Sequence, residues 1–433
     1  MAEIVQLQIG QAGNRIGACF FQQLCEEHKV DATGKLAEGF PALSSCVHKY
    51  FQETTKQTLQ PRSLLIDLEP STLDQIRGSP AGPLYSPDQY LFDQVGTGNL
   101  YVKGHYGQGA ELAEVVAEGV RKQVEACDCF LGFQFTHSIG GGTGSGLGSL
   151  VIANLREQYC DRLLTSYAVF PSPLASDIVT EPYNAILSIE HLLENTDLVM
   201  LLDNEALHHL ISLNEGTDRP TYREINHYIA TAMAGVTASF RFPGVLNSNY
   251  RKMAVNLVSS PRLHFLTVSH TPLSPLQPCT VPAVVETLFS PHNYMVSGNG
   301  GNWRSSTNFA AFRGNVSSSE IEGNMSSLPY LTHLTPAYWL PAPISLAICP
   351  VPPVHFPLSA TLLLNHGVVM EVCQRITAQF RRLFGRKAFV HWYTSEGMEL
   401  MELTEALCNV EDMCWEYGYG QLCADEEGDC EEN

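Results

Sequence analysis

The apolar and polar positions of this chain alternate between two periods. Ile4 to Ile9 reads as a buried strand, and Ile16, Phe20 and Leu24 follow at helical spacing. Leu64-Leu65-Ile66-Asp67-Leu68-Glu69-Pro70 predicts a second buried strand, ending in two carboxylates. Leu112, Val115, Val116, Val120 and Val124 share one helical face. Leu131, Phe133 and Phe135 then alternate with Gln134 and Thr136, as a strand does, before Leu147, Leu150, Val151 and Leu155 return to helical spacing. A strand at Leu198–Leu202 precedes a long helix opened by Pro220-Thr221-Tyr222 and reaching about Ala238. Phe242-Pro243-Gly244 breaks the pattern, and a second domain is expected to begin there. Val368, Val369, Val372, Ile376, Phe380 and Leu383 form a last strong helical stripe. Strands and helices in alternation predict an α/β fold with a parallel sheet. Residues 30–60 are polar and irregular, which predicts a surface excursion.

Composition narrows the function classes. The 433 residues suffice for two or three domains with their own cores, and 44% apolar with 16% charged residues describes a globular chain. A net charge of −20 argues against nucleic acid as a partner and makes basic proteins plausible ones. The thirteen cysteines include no CxxC pair, and Cys127-x-Cys129 is too tight for an ordinary zinc knuckle, so free buried thiols are expected. The N-terminus has no basic region or cleavage site, and no run of 18 apolar residues occurs. These features point to the cytoplasm and to no membrane span.

The chemistry centres on Gly140-Gly141-Gly142-Thr143-Gly144-Ser145-Gly146, lying between a predicted strand and a predicted helix. Such a turn aims backbone N–H groups at the positive end of a helix dipole, a geometry that binds phosphate. Glycine permits close approach of backbone to phosphate, and Ser138, Thr143 and Ser145 add hydroxyls. Neither GxxxxGK[ST] nor GxGxxG fits any register, so the common nucleotide-loop fingerprints are excluded. Asp67 and Glu69 end a strand where α/β folds bind ligands, a place suited to Mg²⁺. Tyr222 and Asn226 lie four apart on one helical face. A ring there can stack on a base, while the amides of Asn204 and Asn226 can donate to or accept from its edge.

The string GGGTGSG resembles the phosphate-loop signature of the tubulins and their bacterial cell-division relatives, and the likeness extends over nearly the whole chain. The resemblance implies a tubulin fold: a Rossmann-like parallel-sheet GTP-binding domain at 1–205, a core helix at 206–243 carrying base-contacting residues, an intermediate α/β domain at 244–363, C-terminal helices at 364–423 and an acidic disordered tail at 424–433. It implies GTP and Mg²⁺ as ligands. Gln11, Glu69, Asn99, Ser138, Gly140, Gly141, Gly142, Thr143, Gly144, Asp177, Glu181, Asn204, Tyr222 and Asn226 match the GTP-contacting positions, with Asp67 and Glu69 around the metal. Ala12 stands where the family usually has cysteine.

Lys252 lies where alpha subunits carry a catalytic glutamate and beta subunits a lysine, so the chain looks beta-like, and the short 352–361 loop agrees. The resemblance thus implies a heterodimer with alpha-tubulin, entry into microtubules, GTP hydrolysis completed by the neighbouring subunit, and dependence on folding chaperones. Asp425 to Asn433 would attract motors and associated proteins. The likeness frays between about 265 and 350. Pro272-Leu273-Ser274-Pro275-Leu276-Gln277-Pro278-Cys279-Thr280-Val281-Pro282 replaces the lateral-contact loop of beta-tubulin, shorter and without its arginines and tyrosine. The alternative is therefore a non-polymerising interaction protein that binds GTP mainly for folding.

Overall fold

The computed structural model describes residues 3–37, 46–172, 176, 178–216, 220–244, 246, 249–274, 277–298, 305–325 and 344–426, apart from the side chains of 215 and 419–426. Two compact units emerge: Met1–Val199 with Ile376–Cys408, and Met200–Arg375 with Asn409–Asn433.

The first unit holds strands β1 (Glu3–Ile9), β2 (Phe51–Glu53), β3 (Leu59–Pro61), β4 (Ser63–Asp67), β5 (Tyr90–Phe92), β6 (Phe130–Ser138) and β7 (Leu163–Phe170). Its sheet runs β7-β6-β1-β4-β5 with every pair parallel, so Leu7 lies between Leu64 and Phe135. Helices such as Gly10–His28 and Gly148–Gln158 connect the strands. A parallel sheet is covered on both faces, and that changes the meaning of the alternation in β6. Gln134 and Thr136, read as the polar face, are as fully buried as Phe133 and Phe135. The Tyr50 hydroxyl donates to Gln134 Oε1 at 2.6 Å, and Thr136 Oγ1 donates to the Gly13 carbonyl at 3.2 Å.

Tyr50 belongs to the stretch expected to be a surface excursion. Instead, the antiparallel β2–β3 pair and the buried rings of Tyr50 and Phe51 pack edge-on against Phe20 and Phe21. In helix Gln108–Glu125, Leu112, Val116 and Val120 are buried as expected, but Val115 is exposed, because the contact face centres on the four-residue steps.

The second unit contains most of β8 (Leu198–Asp203) together with β9 (Phe265–Thr271), β10 (Ser305–Gly314), β11 (Ile344–Cys349) and β12 (Leu358–His366), in the order β11-β10-β12-β9-β8. β10 runs parallel to β11, and β12 is antiparallel to both β10 and β9. Val284, Val285, Leu288 and Phe289 of helix Val281–Phe289 pack with Phe312, Leu362 and Leu364 to form its core. The long helix is Tyr222–Arg241, started by a Thr221/Glu224 capping box. It outruns the expected end because buried Arg241 turns back to the Ala234 carbonyl and Thr237 Oγ1, at 2.6 and 3.0 Å.

Gly418 and Gly420 are poor helix formers, yet the last helix runs from Leu400 to Glu426. Tertiary packing outweighs the weak propensity of glycine: the buried Tyr417 hydroxyl contacts both N–H and carbonyl of Phe265 at 3.2 Å. Among the described residues eleven cysteines are free thiols. Five of them are buried, whereas Cys129, Cys160 and Cys408 are exposed, so the expectation of buried thiols holds only in part. No described helix is long and apolar enough to cross a membrane. Asn299 to Asn302 and the acidic residues 427–433 lie outside the described residues.

Candidate functional site

At the carboxyl end of the first unit's parallel sheet, four turns meet. The first follows β1. Gly10 adopts φ +75°, and a Cβ there would sit 3.2 Å from the Gly144 amide nitrogen, so the two glycine turns touch. Asn14, fully buried one turn later, donates to the carbonyls of Gly10 and Ile66, both at 2.9 Å, tying this turn to β4. Gln11 is exposed beside it.

The second turn follows β4. Asp67 is buried, and its Oδ2 has no hydrogen-bond partner among the described residues. Oδ1 accepts from the Glu69 amide at 3.4 Å. Burial pushes the Asp67 carboxyl up to about 7, with nearby Glu69 adding to the rise and backbone N–H groups opposing it. Glu69 is exposed and folds against Gly96, where an added Cβ would come within 2.2 Å of Glu69 Oε1. An orphaned, desolvated carboxylate oxygen beside a second carboxylate suits a hard cation, and Mg²⁺ is typically held by one or two carboxylates together with phosphate oxygens. Asp67 and Glu69 therefore fit that ion.

The third turn carries Asn99, exposed at φ +59°. Beside it, a Cβ on Gly142 would lie 2.3 Å from Thr97 Oγ1 and 2.8 Å from the Leu100 amide nitrogen, so only glycine allows this loop to close on the next.

The fourth turn is the glycine run. β6 ends at Ser138, and residues Thr143–Leu147 make one turn of π-helix that continues into helix Gly148–Gln158. π-turns recur at functional sites. Ser145 Oγ donates to the Gly141 carbonyl, and the Gly140 amide approaches Ser138 Oγ at 3.4 Å. A Cβ at Gly144 would meet the Ser138 carbonyl oxygen at 2.3 Å, whereas one at Gly141 would meet nothing within 4 Å. The run is thus packed on one side and open on the other, as a phosphate cradle requires. Beneath it His137 bonds the Gly144 carbonyl through Nδ1 at 2.9 Å and Ser166 Oγ through Nε2 at 2.8 Å. Burial pulls His137 down to about 4, so the imidazole is neutral and Nδ1–H donates to Gly144.

Glu181 opens helix Glu181–Asn195 next to Gly140. It accepts from Ser176 Oγ at 2.5 Å, and burial raises its carboxyl above the usual range. Asp177 lies outside the described residues. Residues 3–212 match the GTPase domain of the Tubulin/FtsZ family, and residues 261–378 match the tubulin C-terminal domain.

The chain belongs to the tubulin family.

It is accordingly a GTP-binding cytoskeletal protein with the tubulin fold. Of the site residues that the resemblance implies, Gln11, Asp67, Glu69, Asn99, Ser138 and Gly140 to Gly144 fall in the first unit on the four turns described, and Glu181 opens the helix beside Gly140. Asn204, Tyr222 and Asn226 belong to the second. Asn204 begins helix Asn204–Glu215, capped by the Asp203 carboxylate, which is paired with Arg375 at 3.2 Å. Tyr222 and Asn226 occupy the first turns of helix Tyr222–Arg241, and Tyr222 is 57% exposed, with the His208 ring edge-on to it at 6.5 Å. Sequence reasoning assigned no role to Asn14 or His137, whose only signal is a polar residue inside an otherwise apolar buried pattern, and it placed Asn184 only as the last residue of Ser176-Asp177-x-x-x-Glu181-Pro182-Tyr183-Asn184, a stretch resembling the ribose-contacting segment of the tubulins.

Proposed function

We propose that this tubulin is a beta-like subunit that binds GTP·Mg²⁺, pairs with alpha-tubulin and leaves completion of GTP hydrolysis to the neighbouring subunit. The observation that carries this reading is the surface of helix Tyr250–Leu257. Tyr250, Met253, Ala254 and Leu257 face inward, while Lys252 and Val255 are exposed, so the residue that marks the beta type is presented outward. A lysine cannot act as the acidic residue that positions water. This chain would therefore receive catalysis at its own nucleotide and supply none across the opposite contact.

In the proposed mechanism the glycine turn and the start of helix Gly148–Gln158 cradle the phosphates, with neutral His137 fixing the Gly144 carbonyl from below. Asp67 and Glu69 would hold Mg²⁺, which when bound would supply positive charge to offset that of the phosphates. The tubulin resemblance assigns guanine recognition to Tyr222, through its ring, and to the amides of Asn204 and Asn226. Hydrolysis is mostly positioning and charge stabilisation, so a site completed by a neighbour ties turnover to assembly. Purified chain alone should hold GTP with negligible turnover, and turnover should appear on addition of alpha-tubulin. Equal turnover in both conditions would sink the reading, as would adenine nucleotide in the purified protein.

The alternative, a tubulin that dimerises but does not polymerise, is favoured by one feature. In the 272–282 segment Gln277 fastens the turn down: its Oε1 accepts from the Leu273 amide at 2.9 Å, and its Nε2 donates to Asn214 Oδ1 at 2.8 Å. Pro275 and Leu276 lie outside the described residues. Sedimentation with assembled microtubules separates the two readings, because only a polymer-forming subunit enters the pellet at an ordinary critical concentration.

A further inference from the structure

Asn184 stands on the first turn of helix Glu181–Asn195 and is fully buried. Its Nδ2 donates to the Asn99 carbonyl at 2.8 Å and to the Gly140 carbonyl at 2.9 Å. Its Oδ1 accepts from the Tyr101 amide at 3.0 Å and from the Tyr393 hydroxyl at 2.7 Å. A side-chain amide has two N–H donors and two acceptor lone pairs, so all its capacity is in use. The partners also fix which way the amide faces, since a backbone N–H can meet only the oxygen and two carbonyls can meet only the NH₂ group.

These four bonds gather separate pieces of the first unit. Asn99 carries the left-handed backbone of the third turn, and its carbonyl receives a second, longer bond from Thr180 Oγ1 at 3.3 Å. Gly140 begins the phosphate turn. Tyr393 comes from helix Val390–Thr394, and the neighbouring Tyr183 hydroxyl donates to the Ala388 carbonyl at 2.8 Å. Asn99 and Gly140 thus share the NH₂ group of one buried amide, and a carbonyl that shifts away leaves a buried N–H without its partner.

We propose that Asn184 is a positioning residue that sets the spacing between the Asn99 turn and the phosphate turn, and that Tyr393, by holding the amide in orientation, is part of the same device. The inference rests on the proposed GTP site, and what it adds is a dependence of phosphate binding on a hydroxyl far along the chain that touches no ligand.

The test uses the full chain and compares its affinity for GTP with that for guanosine, which lacks phosphates. Asn184→Asp keeps the shape and both acceptor contacts but turns a second oxygen toward two carbonyls. It is expected to weaken GTP binding roughly tenfold or more and to leave guanosine within about twofold. Tyr393→Phe, which deletes one oxygen, is expected to weaken GTP about threefold, with no further loss in the Asn184→Asp background because the two act as a unit. Ile186→Val, a buried change on the same helix, should lower stability without altering the GTP-to-guanosine ratio. If Asn184→Asp does not fold, Tyr393→Phe decides alone. An unchanged ratio in Tyr393→Phe, equal losses for both ligands, or strictly additive effects would overturn the inference. Failure of the unaltered chain to bind guanine nucleotide would instead overturn the site on which it rests.

Discussion

The phosphate end of the first unit and the 272–282 segment of the second are both surface loops at strand ends, yet they are built on opposite principles. At the phosphate end each turn is bonded to another by a buried side chain: Asn14 joins β1 to β4, His137 supports the glycine turn and Asn184 spans two loops. Glycines remove the side chains that would hold the turns apart. In the 272–282 segment one glutamine closes a short turn on itself and on Asn214. Geometry needed for a small charged ligand is over-determined by many partners. A contact surface needs only to exist, so it tolerates replacement.

The largest test of this contrast is Gly144→Val. Its Cβ would overlap the Ser138 carbonyl oxygen, at 2.3 Å. Overpacking of that kind costs roughly 3 kcal/mol or more, so nucleotide affinity should fall about a hundredfold or vanish, as read by retained nucleotide after gel filtration. Near-normal retention would show that the phosphate end is as forgiving as the other loop.

Next in size is the pH response of Asp67. Burial raises its folded value to about 7 from an ordinary 3.8, so the folded state holds a proton that the unfolded chain has lost. Its contribution to stability is complete below the ordinary value and disappears as pH rises through about 7. Mg²⁺ requires the ionised form, and its affinity should climb by up to about tenfold per pH unit between roughly 5 and 7, then level off. Asp67→Asn should abolish that slope, as followed by Mg²⁺-dependent nucleotide retention across pH.

A smaller effect is expected from grafting a standard beta-tubulin lateral loop between Leu273 and Thr280. Aromatic and basic anchors often contribute ~2 kcal/mol each to an interface, so the graft should lower the critical concentration for assembly with alpha-tubulin. Ordinary assembly by the unmodified chain would remove the reason for the graft. Smallest of all, Gln277→Ala should cost about 1 kcal/mol in thermal unfolding and leave nucleotide affinity untouched.

Much of this was legible in the residues. The parallel α/β order, the glycine turn and the acidic end of β4 follow from periodicity and from the few residue types that chemistry accepts there. The burial of Asp67 was not, because an acid at a strand end looks the same whether solvated or enclosed. Tyr50 and Phe51 were hidden inside a polar stretch whose two short strands give too little alternation to read. Asn184 belongs to a recognisable motif, but its role depends on Tyr393, and pairing across two hundred residues leaves no periodic trace. The continuation of the last helix through Gly418 likewise depends on Tyr417 reaching Phe265, a tertiary effect that local propensity cannot contain.

Phe389, at the start of helix Val390–Thr394, has φ +61° and is 37% exposed. A bulky aromatic in that left-handed region is strained by roughly 1–2 kcal/mol, and glycine would relieve it. Redesign of this protein toward higher melting temperature would therefore replace Phe389 early. The more robust chain that resulted would have lost an outward-facing ring beside the segment that carries Tyr393.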